Sequence, residues 1–158
     1  MTHITLEEAK AEALARFEDR GPDHLNCAQA VLHFALLVLG RDPDYTTLAE
    51  YFGGGLAGMG EACGALTGGI LALGLRDLHL DEPSEDLQAH TRLRLQELLG
   101  EFAREFGALR CADLTGCDLT TAEGHADFLA SGANERCPLF VGWMCDRVAP
   151  LLVVPDSE

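Results

Sequence analysis

The chain has 158 residues, 47% of them hydrophobic and only 6% aromatic, with a formal net charge of −15. That length and apolar share suit one domain over residues 1–158 with one core, and the Ala, Leu and Gly content favours packed helices over a β-sandwich. A charge of this sign and size repels phosphate backbones and anionic lipid heads, which excludes nucleic acid and membrane surfaces as main partners.

In chain order, residues 5–20 read as an amphipathic helix. Thr5 and Glu8 make a capping box, and Leu6, Ala9, Ala13, Leu14 and Phe17 give an apolar stripe at helical spacing. Gly21 and Pro22 end it. Asn26 is a good N-cap for a second helix over 26–39, apolar on nearly every side and therefore expected at the centre. A short helix over 46–52 follows, then Gly53, Gly54 and Gly55, a run unsuited to a helix interior. Residues 60–75 read as a glycine-rich third helix whose Gly64 and Gly68 leave bare backbone for a neighbouring helix. The stretch 56–75 has the length of a membrane span, but it holds six glycines and no basic cluster precedes it, so a buried helix is the better reading.

Residues 77–86, with Pro83, read as a polar connection. Ser84 opens a long helix to about 106, with Leu87, Leu95, Leu98, Leu99, Phe102 and Phe106 on its apolar side. Residues 107–119 are irregular. Thr120 or Thr121 caps a short helix to 130, Ser131 to Asn134 make a turn, and a last helix runs over 138–152 with Cys137 at its N-cap and Pro138 in its first turn. The fold class expected is all-α: a bundle of about five main helices with short extra ones.

There are six cysteines: Cys27, Cys63, Cys111, Cys117, Cys137 and Cys145. The N-terminus shows no secretory pattern, so the expected location is the cytoplasm, where thiols stay mostly reduced. Cys27, Cys63 and Cys137 fall at helix starts, and Cys111 opens a one-turn helix if the irregular stretch holds one. The free N–H groups and positive dipole end of a helix start favour thiolate, the form that attacks disulfides and binds metals. No Cys-x-x-Cys is present, so a thioredoxin-like site or a zinc ribbon has no local support. Cys137 and Cys145 are separated by about 12 Å of helix rise and cannot pair. Other candidates are weaker. His24 and His33 flank Cys27, and Glu61 near Cys63 would raise its pKa. The three glycines lack the Lys-Ser or Lys-Thr of a phosphate loop.

Asn26-Cys27-Ala28-Gln29-Ala30-Val31, Phe52-Gly53-Gly54-Gly55 and Cys63-Gly64-Ala65-Leu66-Thr67-Gly68-Gly69 together resemble the family named C_GCAxxG_C_C. The stretches 111–118 and 137–141 also look like that family. The resemblance implies redox activity and selects Cys27, Cys63, Cys111 and Cys137 as its signature cysteines, with Cys117 and Cys145 outside the pattern. It is also similar to a cysteine-bearing region of split-Soret cytochrome c, which implies an iron–sulfur role, although this chain has no Cys-x-x-Cys-His for covalent haem.

Three functions follow as expectations. In the first, the four cysteines carry thiol–disulfide or electron-transfer chemistry with an unidentified redox partner, Cys27 and Cys63 forming one reactive pair. In the second, the same four bind zinc or an iron–sulfur cluster. In the third, the cysteines simply pack in a non-catalytic scaffold. A homodimer is one arrangement left open. The four signature thiols are expected to meet in one pocket, with Cys117 and Cys145 outside it.

Overall fold

The structure is a computed structural model and describes residues 3–82 and 84–154. Among them are seven α-helices and two 3-10 helices, with no strand. The fold is all-α. The helices are α1 (Leu6–Glu18), α2 (Cys27–Leu39), α3 (Gly64–Leu78), α4 (Glu85–Phe106), α5 (Cys111–Thr115), α6 (Ala122–Ala130) and α7 (Cys137–Leu152). The 3-10 helices are Pro43–Phe52 and Ala133–Arg136. Five of the α-helices have 13 residues or more.

Helix α2 is the hub. Ala28 through Leu36 are buried without interruption, and α1, α3, α7 and the first 3-10 helix all pack on it. Its start is locked twice. Asn26 accepts the Gln29 N–H at 2.9 Å as N-cap, while its amide donates to the carbonyls of Glu50 at 2.8 Å and Ala49 at 3.4 Å. Gly53 lies so close that a Cβ there would sit 2.8 Å from Asn26 Cγ.

Helix α3 lies against α2 along a face of bare backbone. A Cβ on Gly68 would come within 2.3 Å of the Ala28 carbonyl oxygen, and one on Gly64 within 2.3 Å of Cys27 Sγ. Gly69 faces the other way, where its Cβ would meet Met144 of α7 at 2.3 Å. The glycine spacing therefore does what close helix packing needs, and α3 is wedged between α2 and α7. Helix α4 buries only Thr91, Leu98 and Phe102. It joins α7 through Phe102, Phe106, Phe140 and Trp143, whose ring centroids lie 4.8–6.0 Å apart.

Several boundaries differ from the sequence reading. Helix α3 starts at Gly64 rather than residue 60, because Gly54, Gly55, Leu56, Ala57 and Gly58 all take positive φ and Gly60 does too. Right-handed helix cannot begin until that turn is finished. The helix then runs three residues past 75, since Arg76 is buried and bonds the Leu151 carbonyl at 2.6 Å and the Thr91 hydroxyl at 3.0 Å. Residues 46–52 belong to a longer 3-10 helix begun by Pro43. Pro83, assigned to the connection, lies outside the described residues. Helix α3 has 15 residues, and no helix among those described is long and apolar enough to cross a membrane.

Gly68→Leu is expected to overpack the α2–α3 contact and to cost about 1–3 kcal/mol or more, read as a lower midpoint in chemical denaturation.

Candidate functional site: four thiols at four helix starts

Each signature cysteine sits where a helix begins. Cys27, Cys111 and Cys137 are the first residues of α2, α5 and α7, and Cys63 is the N-cap of α3. Backbone pairing brings two of these starts together. Cys63 N–H donates to the Leu109 carbonyl at 2.8 Å, Cys111 N–H to the Glu61 carbonyl at 2.7 Å, and Ala112 N–H to the Gly60 carbonyl at 3.0 Å. This short antiparallel clamp, centred on an isolated bridge between Ala62 and Arg110, sets Cys63 and Cys111 in register. Gly55 closes the gap above it: a Cβ there would meet the Cys111 Cβ at 2.7 Å. The fourth start is tied in by Arg136. Its guanidinium donates to the Leu114 carbonyl at 2.9 Å, at the end of α5, and lies over the Phe140 ring at 5.4 Å.

The result is one cavity of about 20 Å³ lined by Cys27, Cys63, Cys111 and Cys137, with Leu114 and Phe140 among its walls. That is room for roughly one water molecule. Cys63 is buried at the back, whereas the other three are half-buried. Those three also line a second, outer cleft of about 550 Å³ between the end of α1, α6 and the start of α7. Cys63 touches only the inner cavity. Cys117 and Cys145 line neither. Cys117 is buried beside Thr115, its Sγ 3.5 Å from that carbonyl, and Cys145 is wholly buried in α7.

The charge state differs from the sequence expectation. Helix starts favour thiolate, yet burial pushes every signature thiol up. Burial comes first for Cys63, and the neighbouring charge of Cys27 adds to it. Burial and Cys27 raise Cys111 to about 11 and Cys137 to about 12. Cys27 rises as well, for the same first reason, but the backbone N–H groups of Gly54, Ala28 and Gly64 work against the rise. A partial helix charge is outweighed when several thiols share an apolar cavity, since each thiolate loses its water and repels the next.

The weaker candidates separate. Glu61 is turned away from Cys63 and pairs with Arg110 at 3.3 Å, so it is not what raises the thiol. His33 is buried against Glu12, at 2.9 Å, and lines neither cavity. His24 lines the outer cleft, its Nδ1 donating to the Asp19 carbonyl at 2.9 Å. The sequence reading missed the cleft walls, Phe17, Leu119, Phe128 and Leu129, because they come from three separate segments with no shared motif. It also missed Arg110 and Arg136, each of which immediately precedes a signature cysteine.

A model of the family described as "Putative redox-active protein (C_GCAxxG_C_C)" matches residues 25–151. The chain belongs to this family. Comparison with curated proteins and with solved structures gave no match. The C_GCAxxG_C_C signature takes on a physical meaning in this fold. Its first cysteine rests its sulfur on the glycine after the second, and its second and third are held by the backbone clamp.

Among the described residues, no group of three or more His, Cys, Asp or Glu side chains converges closely enough to hold a single metal ion. A mononuclear zinc site therefore does not fit the side chains as they stand, because zinc needs its sulfurs at about 2.3 Å from one point.

The raised thiols link to stability with a definite sign. Below the ordinary thiol value of 9.0 both folded and unfolded chains hold their protons. Above it the unfolded chain releases them first, so the folded state loses ground as pH climbs. Stability of the reduced protein is expected to fall from about pH 9 toward 11, measured as the urea midpoint. A Cys111→Ser, Cys137→Ser double variant should flatten part of that decline.

Proposed function

We propose that this chain is a cytoplasmic thiol–disulfide redox protein, working as a single domain, in which Cys27 attacks and Cys63 resolves. The observation that carries the reading is that four helix-start thiols line one cavity while three of them also face the outer cleft. Cys27 is assigned as the nucleophile because it lines both the outer cleft and the inner cavity and its sulfur rests on Gly64, next to Cys63. Cys63 is sealed from the cleft and adjacent to Cys27, which suits a thiol that acts second.

The chemistry balances as an exchange. Cys27 thiolate attacks one sulfur of an external disulfide, and the other sulfur leaves and takes a proton. Cys63 then attacks the Cys27 sulfur of the mixed disulfide. The second half leaves as a thiol and a Cys27–Cys63 bond remains. The protein loses two electrons and two protons, and the external disulfide gains them. Cys111 and Cys137 stand beside that bond and can accept it by the same exchange, which passes the oxidation to the far side of the cavity.

An iron–sulfur cluster is the second reading. Its support is the donor set, four thiols around one cavity. Cys27, Cys63, Cys111 and Cys137 would hold the cluster once the cavity, with room for about one water as it stands, opened around it, and the cluster would supply one-electron transfer.

Anaerobically purified protein separates the two. The expected preparation is colourless and free of iron and sulfide. A mild disulfide oxidant should form a bond that dithiothreitol reverses; in a Cys111→Ser, Cys137→Ser background, Cys27→Ser should abolish it and Cys63→Ser should trap the mixed adduct on Cys27. Visible absorption with iron and sulfide would transfer the function to the cluster. A metal-free protein whose cysteines form no reversible bond would sink both readings and leave a scaffold.

A further inference from the structure

The outer cleft has no part in the exchange between the protein's own thiols, yet three of the four reach it. Its volume, about 550 Å³, lies in the range of small-molecule sites. Phe17, Leu119, Phe128, Leu129 and Pro138 form the apolar part of its walls. Charged groups are few and of both signs, Arg20 with Glu18 and Glu135, and two imidazoles, His24 and His125, also line it. Neither Arg20 nor the two glutamates take part in an ion pair among the described residues. The molecule as a whole carries −15.

Three properties of an occupant follow. It is small, because Cys27, Cys111 and Cys137 are half-buried in a cleft and a disulfide on the surface of a folded protein cannot be brought down to them. It is apolar or ring-bearing, because the cleft presents aromatic and aliphatic surface. It is not anionic, because the potential of so acidic a molecule repels anions and the rim offers a single arginine.

We infer that the cleft is the substrate site, and that it takes a small, uncharged organic disulfide with aromatic or aliphatic groups rather than a protein disulfide. This rests on the thiol–disulfide reading of the four cysteines. The ligand's apolar groups rest on the Phe17, Leu119 and Phe128 side of the lining, with its sulfurs toward Cys27. The S–S bond breaks on attack and one half departs through the cleft. The other half stays bonded to Cys27 until Cys63, from the inner cavity, displaces it as the second thiol. Two electrons pass to the ligand, and the two thiol protons end on its two halves.

The test uses the full-length, reduced protein and three substrates: neutral dithiodipyridine, dianionic dithiobis(nitrobenzoate), which is also an activated aryl disulfide, and insulin. Dithiodipyridine is expected to react with saturation, which reports binding ahead of chemistry. Dithiobis(nitrobenzoate) should react at least about tenfold more slowly at equal concentration once each rate is divided by that of free cysteine, and insulin should remain intact. Phe128→Ala is expected to raise the half-saturating concentration of dithiodipyridine roughly tenfold, the scale of a lost aromatic contact. Leu129→Ala, at an exposed position, gives the same direction if the first variant folds poorly. A rate linear in dithiodipyridine and indifferent to both variants would remove the cleft from the reaction while leaving the thiol exchange in place. Insulin reduced faster by the protein than by dithiothreitol at equal thiol concentration would overturn the small-molecule assignment. If no disulfide reacts with any cysteine, the thiol–disulfide reading itself fails and this inference with it.

Discussion

The close approach of α2 and α3 governs everything else in this molecule. Two helices ordinarily pack about 8–10 Å apart, axis to axis, with side chains between them. Here Gly64 and Gly68 remove those side chains, so Ala28 and Cys27 of α2 rest on the backbone of α3. The start of α2 carries Cys27 and the start of α3 carries Cys63, so the same contact that builds the core also joins the first two thiols. Met144 against Gly69 then draws in α7, whose first residue is Cys137. A bulkier α3 would push apart both the helices and the thiols.

The apolar cavity sets the chemistry of those thiols more than the helix ends do. A helix start contributes a partial positive charge over its first turn. Four sulfurs in a cavity with room for about one water face a larger opposing cost, because a thiolate there has almost no solvent. Burial favours the protonated form of all four thiols. Their surroundings nevertheless differ: Cys27, Cys111 and Cys137 line both the inner cavity and the outer cleft, whereas Cys63 lines the inner cavity alone.

Much of this was legible in the chain. The capping box at Thr5 and the N-cap at Asn26 marked two helix starts to within a residue, because local hydrogen bonding decides them. The Gly64–Gly68 spacing announced a close contact and the structure has one. The start of α3 was less legible, since Leu56 and Ala57 take positive φ that their side chains do not advertise. Five consecutive residues in that conformation depend on the fixed ends of the turn, at Asn26 and at the Ala62–Arg110 bridge. The cavity was suggested by four cysteines at helix starts, but its apolar character was not. Leu114 and Phe140 approach the thiols only through the packing of α5 and α7. The outer cleft was invisible, being made of side chains that meet only when α1, α6 and α7 are in place.

The four signature cysteines are spread from position 27 to position 137, so no fragment of the chain contains the cavity. Their protection is a property of the completed fold. In the unfolded chain the thiols are solvated and keep the ordinary value near 9.0, so a small thiolate fraction at neutral pH is open to oxidants and to the other cysteines. Mispairing at that stage would freeze α2, α3 and α7 in the wrong relation. The cysteines must stay unpaired until the cavity forms around them, after which the fold itself restrains their reactivity.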